Sequence, residues 1–159
     1  MRDAINRTDT HKQEMIVRNL VQRGVVDRSD ASKKMQTLDI SLLNGSKPTK
    51  VEHWERYGIT YRPLEGAEVL AIALGGNPDH LVVTDVADRR HRPTNLNPGE
   101  LMIHDHQGQS ILIGKDYIKI ATGKKLVIES DVEITGDITH TGNYNQSGVH
   151  IDSNGPHTA

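Results

Sequence analysis

Between Leu126 and Tyr144 the even-numbered positions form an unbroken series of apolar, small or ring-bearing residues: Leu126, Ile128, Ser130, Val132, Ile134, Gly136, Ile138, His140, Gly142 and Tyr144. The odd positions beside them are mostly polar, among them Glu129, Asp131, Glu133, Thr135, Asp137, Thr139, Thr141 and Asn143. Side chains of an extended chain alternate between two faces, so a period of two marks β-structure with one dry and one wet side. Thr135-Gly136-Asp137 and Thr141-Gly142-Asn143 repeat six residues apart. Glycine at the corners and one apolar residue per short strand is the pattern of a β-solenoid. One copy cannot close a core around so thin a stripe. Three copies about a threefold axis can, because each turns its even face to a shared interior and pairs strand edges that would otherwise stand open. Residues 100–159 are therefore expected to form an intertwined trimeric β-helix, a stiff needle. Apolar burial, at about 25 cal/mol per Å2, would be its main source of stability.

Upstream the pattern changes. Val25-Val26 precedes a turn cluster, Asp27-Arg28-Ser29-Asp30, and Met35, Leu38, Ile40 and Leu42 then alternate up to the turn signal Asn44-Gly45. Tyr57, Ile59 and Tyr61 alternate again. Val69-Leu70-Ala71-Ile72-Ala73-Leu74 is continuously apolar, as expected of a strand buried on both faces. After Gly75-Gly76-Asn77-Pro78, a fifth strand reads from Leu81 to Val86. Five short strands predict a small Greek-key barrel of the OB type. The fold class is thus all-β, an OB-fold barrel followed by the needle. The divisions are an arm with a short helix over 1–22, the barrel over 23–88, a linker over 89–99, and the spike with its C-terminal tip over 100–159. Met15, Ile16 and Leu20 carry the helix, and Asp9 or Thr10 would cap it. In the spike, Leu101 and Ile103 share a face, Ile111 and Ile113 repeat it after a Gln107-Gly108 turn, and Ile118 and Ile120 follow.

Composition agrees with thin β cores. Aromatic residues make up 3% of the 159 residues, Phe is absent and Gly numbers 14. Cysteine is absent, so no disulfide or thiolate site contributes, and oligomerisation is the expected source of stability. No apolar run approaches the roughly 20 residues of a spanning helix, and residues 1–14 carry no signal-peptide core. Synthesis as a soluble chain in a cytoplasm is expected.

Several motifs, distinctive in combination, resemble the baseplate assembly protein V family, the central tail spike of Mu-like contractile-tailed phages. They are Arg23-Gly24-Val25-Val26, the run from Tyr57-Gly58-Ile59-Thr60-Tyr61-Arg62-Pro63-Leu64 to Glu65-Gly66-Ala67-Glu68, Leu74-Gly75-Gly76-Asn77-Pro78-Asp79-His80, Val86-Ala87-Asp88-Arg89-Arg90-His91-Arg92 and Pro98-Gly99-Glu100. The resemblance covers nearly the whole chain. It implies a homotrimer in the virion tail baseplate, made in the host cytoplasm. The barrel would dock on the baseplate hub beside tail-tube proteins, and the tip, bare or capped by a separate tip protein, would face the host outer membrane. It implies no lysozyme domain, and the chain is expected to be neither an enzyme nor a nucleic-acid binder. Members carry a C-terminal His-x-His that can hold iron on the axis. Here the one His-x-His is His104-Asp105-His106, ahead of the repeats, while His150 and His157 lie seven positions apart.

No cofactor is required by this reading. His140 falls on the inward even face, where three imidazoles could bind a structural metal ion such as iron, bind an anion when protonated, or line a layer of water. His150 continues the even phase, although Gly148 permits a register break that would turn Val149 and Ile151 inward. His104 and His106 read as a solvated face beside a turn, with metal ligation as the alternative. Arg89-Arg90-His91-Arg92 reads as a solvated or intersubunit salt-bridging segment before it reads as a nucleic-acid contact. Trp54 is expected to pack against the barrel.

Two other functions compete with the mechanical one. An OB-fold binder of single-stranded nucleic acid uses aromatic platforms and basic grooves, against which stand a net charge of −2, one Trp and four Tyr. A tail-associated cell-wall hydrolase needs paired carboxylates in a cleft, and the solenoid offers no cleft. No nucleophile-elbow, P-loop, zinc-protease or dinucleotide motif appears.

Overall fold

A computed structural model of the chain describes Val17, residues 20–145 and Ser147, together with the backbone of two strands near the C-terminus. The expected N-terminal helix lies outside the described residues, apart from Val17 and Leu20. The chain divides into two compact units, Met1–Gly123 and Lys124–Ala159.

In the first unit, β1 (Val21–Asp30), β2 (Thr37–Leu42), β3 (Val51–His53), β4 (Glu68–Ala73) and β5 (Leu81–Ala87) close into a barrel with the order β1-β2-β3-β5-β4. Neighbours run antiparallel except β3 and β5, which are parallel with Glu52 opposite Val82 and His53 opposite Val83. This is the OB-like barrel that the strand count predicted. Alternation sets its inside: Leu38, Ile40 and Leu42 of β2, Val69, Ala71 and Ala73 of β4, and Leu81 and Val83 of β5 meet Val26 of β1 and Val51 of β3. Medium and small aliphatic side chains make up this hydrophobic core, with no Phe, Tyr or Trp among the described core residues. β1 must come very close to β2 at Gly24, where an added Cβ would lie 2.4 Å from the Ser41 carbonyl oxygen. Register shifts between Val26 and Arg28 and between Leu70 and Ala71 mark irregularities of the bulge kind, which bend a sheet toward closure.

Three local expectations change. The polar cluster Asp27-Arg28-Ser29-Asp30 is strand, because its groups are satisfied on the barrel's outer surface: Ser41 Oγ donates to Asp27 at 2.7 Å and Arg28 lies 3.8 Å from Asp39. The turn falls at residues 31–36 instead. Tyr57, Ile59 and Tyr61 lie in a loop over 54–67, and the third strand is the short Val51–His53. The apolar run in β4 is fully buried on one face only, since Leu70 and Ile72 are half-buried.

Beyond the barrel, β6 (Leu101–His104), β7 (Ser110–Ile113) and β8 (Ile118–Ala121) form an antiparallel meander. Asp105 knots the β6–β7 turn, its Oδ1 accepting from the backbone N–H groups of Gln107 at 2.8 Å and Gln109 at 2.9 Å. In the second unit, residues 124–145 contain no strand. A hairpin of β9 (Val149–Asp152) and β10 (Gly155–Thr158) follows.

Candidate assembly surface

The register of the meander places Leu101 opposite Ile113 and Ile113 opposite Ile118, and it aligns Ile103, Ile111 and Ile120 in the same way. Directly opposed residues share a face. Six aliphatic side chains therefore form one uncharged block, and Lys119, paired with Leu112, belongs to the other face. All six are exposed, from 39% at Ile111 to 69% at Ile118. A contiguous apolar block of this kind left in water marks a surface that something covers. In the second unit Leu126, Ile128, Val132, Ile134, Ile138 and Tyr144 are likewise between 55% and 71% exposed. Val127, on the odd side, is 59% exposed and interrupts the clean division read from the sequence.

His140 stands edge-on to Tyr144, with ring centroids 6.0 Å apart, so these two even-numbered residues are neighbours. His150 lies in β9 with its backbone opposite that of His157 in β10, although seven residues separate them in sequence. Their side chains lie outside the described residues. Among the described residues of one chain, no group of three or more His, Asp or Glu could hold a metal ion. His104 and His106 line a groove of about 600 Å3 with His91 and the loop of Tyr61 to Leu64. The rings of His91 and His106 are 5.8 Å apart.

The basic run is largely spent within its own chain. Arg89 and Arg23 both bind the Glu68 carboxylate, Arg23 at 2.7 Å, and Arg90 binds Asp88 at 2.6 Å. Arg90 also donates to the Glu65 carbonyl at 2.9 Å. Hydrogen bonds from Arg90 hold the Asp88 carboxyl down at about 2. Trp54 is 59% exposed rather than packed against the barrel, and its backbone N–H donates to Val83 at 2.8 Å.

Sequence reasoning missed a buried polar cluster. His53 is 1% exposed and Gln36 4%. Gln36 Nε2 donates to the Tyr61 carbonyl at 2.9 Å and to His53 Nδ1 at 3.1 Å. That leaves the imidazole proton on Nε2, which donates to the Tyr61 hydroxyl at 3.2 Å. Burial pushes the His53 pKa below its ordinary value and raises that of Tyr61. The available signal was phase: His53 falls two residues after Val51, on the inward side of β3.

A closed OB-like barrel followed by β-structure with an uncovered apolar face defines an all-β protein that presents an assembly surface. A family model described as Bacteriophage Mu Gp45, N-terminal, matches residues 23–90, which take in nearly all of the barrel. The chain is 37% identical over 125 residues to the baseplate puncturing device gp45 of Escherichia phage Mu, covering 79% of this chain and 64% of that protein. It is 30% identical over 139 residues to the Mu-like prophage FluMu protein gp45 of Haemophilus influenzae, covering 82% of this chain and 76% of that protein. The chain belongs to the phage Mu gp45 family. It spans less than two thirds of the phage Mu relative's length.

Proposed function

We propose that this chain is the central spike of a contractile-tail baseplate, a trimeric structural protein driven through the host outer membrane when the tail contracts. The observation that carries the reading is apolar surface that one copy leaves in water, in the β6–β8 meander of the first unit and, separately, at Leu126, Ile128, Val132, Ile134 and Ile138 of the second. Three copies around one axis would bury it in a continuous interior, and the C-terminal part would become the intertwined β-helix. The name of the phage Mu relative supports the puncturing role and the baseplate location. The barrels would then sit on the hub beside the tail tube, with the tip, capped or bare, toward the membrane. Mechanical work of this kind needs stiffness and no catalytic set. The engagement of Arg89 and Arg90 by Glu68 and Asp88 weakens the nucleic-acid alternative, because it removes the free basic groove such binding needs.

Sedimentation of the purified full chain tests the reading. A species of three times the chain mass that survives detergent is expected, and a stable compact monomer would overturn it. An axial ion belongs to the same proposal. One chain's described residues do not fit a metal by themselves, so any site would be shared, with His140 and His150 as donors from several copies. Metal analysis of the purified trimer is expected to find about one ion per three chains, on the order set by three imidazoles sharing a site. A metal-free trimer, or content unchanged in His140→Ala and His150→Ala, would remove the ion from the account.

A further inference from the structure

We infer that the trough between residues 61–64 and residues 89–92 docks an acidic, partly apolar peptide segment of a partner protein. The inference goes beyond the trimeric reading, since every residue that forms the trough belongs to one chain.

Two grooves adjoin there. The groove of about 600 Å3 that holds the three histidines and a second of about 570 Å3, lined also by Arg28, Ser29 and Glu65, share Arg62, Pro63 and Leu64. A small ion needs one groove, whereas two that adjoin suit an extended chain. The floor of the larger one is apolar, with Pro63 and Ala67 buried and Val86 half-buried. Its wall is fixed in advance. Gln36 holds the Tyr61 carbonyl and His53 the Tyr61 hydroxyl. The Gly66 N–H donates to the Val26 carbonyl at 2.8 Å, and Arg90 holds the Glu65 carbonyl. A wall already ordered costs little to order on binding.

Charge selects the occupant. The carboxylates of the larger groove are all answered within the chain: Glu68 by Arg23 and Arg89, Asp88 by Arg90, and Asp105 by the N–H groups of Gln107 and Gln109. Two cations are not. Arg62 donates to Ser29 Oγ at 3.0 Å and to the Ser29 carbonyl at 2.8 Å, and Arg92 donates to the Pro93 carbonyl at 3.0 Å, all of them neutral oxygens. Their charges are left for carboxylates that the described residues do not supply. The second groove adds one cation, Arg28, and one carboxylate, Glu65, so the excess stands. Two guanidinium groups are too few for a phosphate backbone, whose binders make many such contacts, but they match a short acidic motif. An aliphatic side chain beside the acidic ones suits the floor at Pro63 and Ala67.

The experiment follows, by fluorescence polarisation, a short labelled peptide of Glu and Leu binding to the full chain, beside a Lys and Leu peptide and a single-stranded oligonucleotide. The Glu peptide is expected to bind saturably and to weaken as salt rises from about 0.05 M to about 0.5 M, and the other two are expected not to bind. Arg92→Glu is expected to weaken binding about fivefold or more, because repulsion replaces attraction. Arg56→Glu reverses a charge outside both grooves, where Arg56 lies 3.6 Å from Asp85, and is expected to bind as the parent does. Thermal melts check that the variants fold; if Arg92→Glu does not, Arg92→Gln replaces it, with an expected loss of about threefold. No saturable binding, equal affinity in the Arg92 variant, an equal loss in Arg56→Glu, or preference for the oligonucleotide overturns the inference. A monomeric parent that binds the Glu peptide overturns the trimer alone, and a trimer that does not bind it overturns the docking trough alone.

Discussion

Neutral His53 holds the Tyr61 loop to the barrel. Its Nδ1 accepts from Gln36 and its Nε2 donates to the Tyr61 hydroxyl, so a second ring proton would face the Gln36 amide donor. Burial opposes protonation most strongly, while the negative charges of Glu55 and Asp85 favour it less. The unfolded chain takes up a proton near the ordinary value of 6.5, and the folded chain does so only at lower pH. The stabilisation is therefore complete above that value and is lost as pH falls through the lower, folded value. Thermal melts at about pH 7.5 and about pH 5, either side of that titration, should show a larger loss of Tm in the parent than in His53→Gln. Equal losses would mean that His53 does not couple folding to protons.

At the scale of elements, Gly24 is where the barrel has least tolerance. A methyl group there would meet the Ser41 carbonyl at 2.4 Å and the Leu42 side chain at 2.9 Å. Gly24→Ala should destabilise the barrel by about 1–3 kcal/mol, as overpacking does, read from the midpoint of chemical unfolding. A neutral result would show that β1 and β2 can part without loss. Strands with strong alternation were legible in the sequence. Leu38, Ile40 and Leu42 predicted β2, and the paired isoleucines of β6 to β8 predicted their shared face. β3 was not legible, because a three-residue strand with one outward Glu carries little periodicity, whereas Tyr57, Ile59 and Tyr61 mimic a strand. That loop is held by side chains instead, with Glu55 accepting from Thr60 Oγ1 at 2.9 Å and from the Tyr61 N–H at 2.8 Å. The outer half of β1 escaped detection for a related reason. Its polar residues find partners across the strand pair, such as Ser41 for Asp27, which no single segment displays.

For the whole molecule, the two parts solve burial in different ways. The barrel hides Leu38, Ile40, Ala71 and Val83 almost completely within one chain. From Leu101 to Ile138 every isoleucine and, apart from half-buried Leu112, every leucine is left in water. The period of two over Leu126 to Tyr144 belongs to the sequence, and in the single chain residues 124–145 form no strand, with odd-numbered Val127 as exposed as its even-numbered neighbours. Glu68 adds a mechanical consequence. One carboxylate on β4 clasps Arg23 near the barrel's first strand and Arg89 just past its last. The chain leaves the barrel beside the point where it came in, and one carboxylate fastens both ends. Concentrated salt would loosen that exposed fastening before it loosened the aliphatic interior.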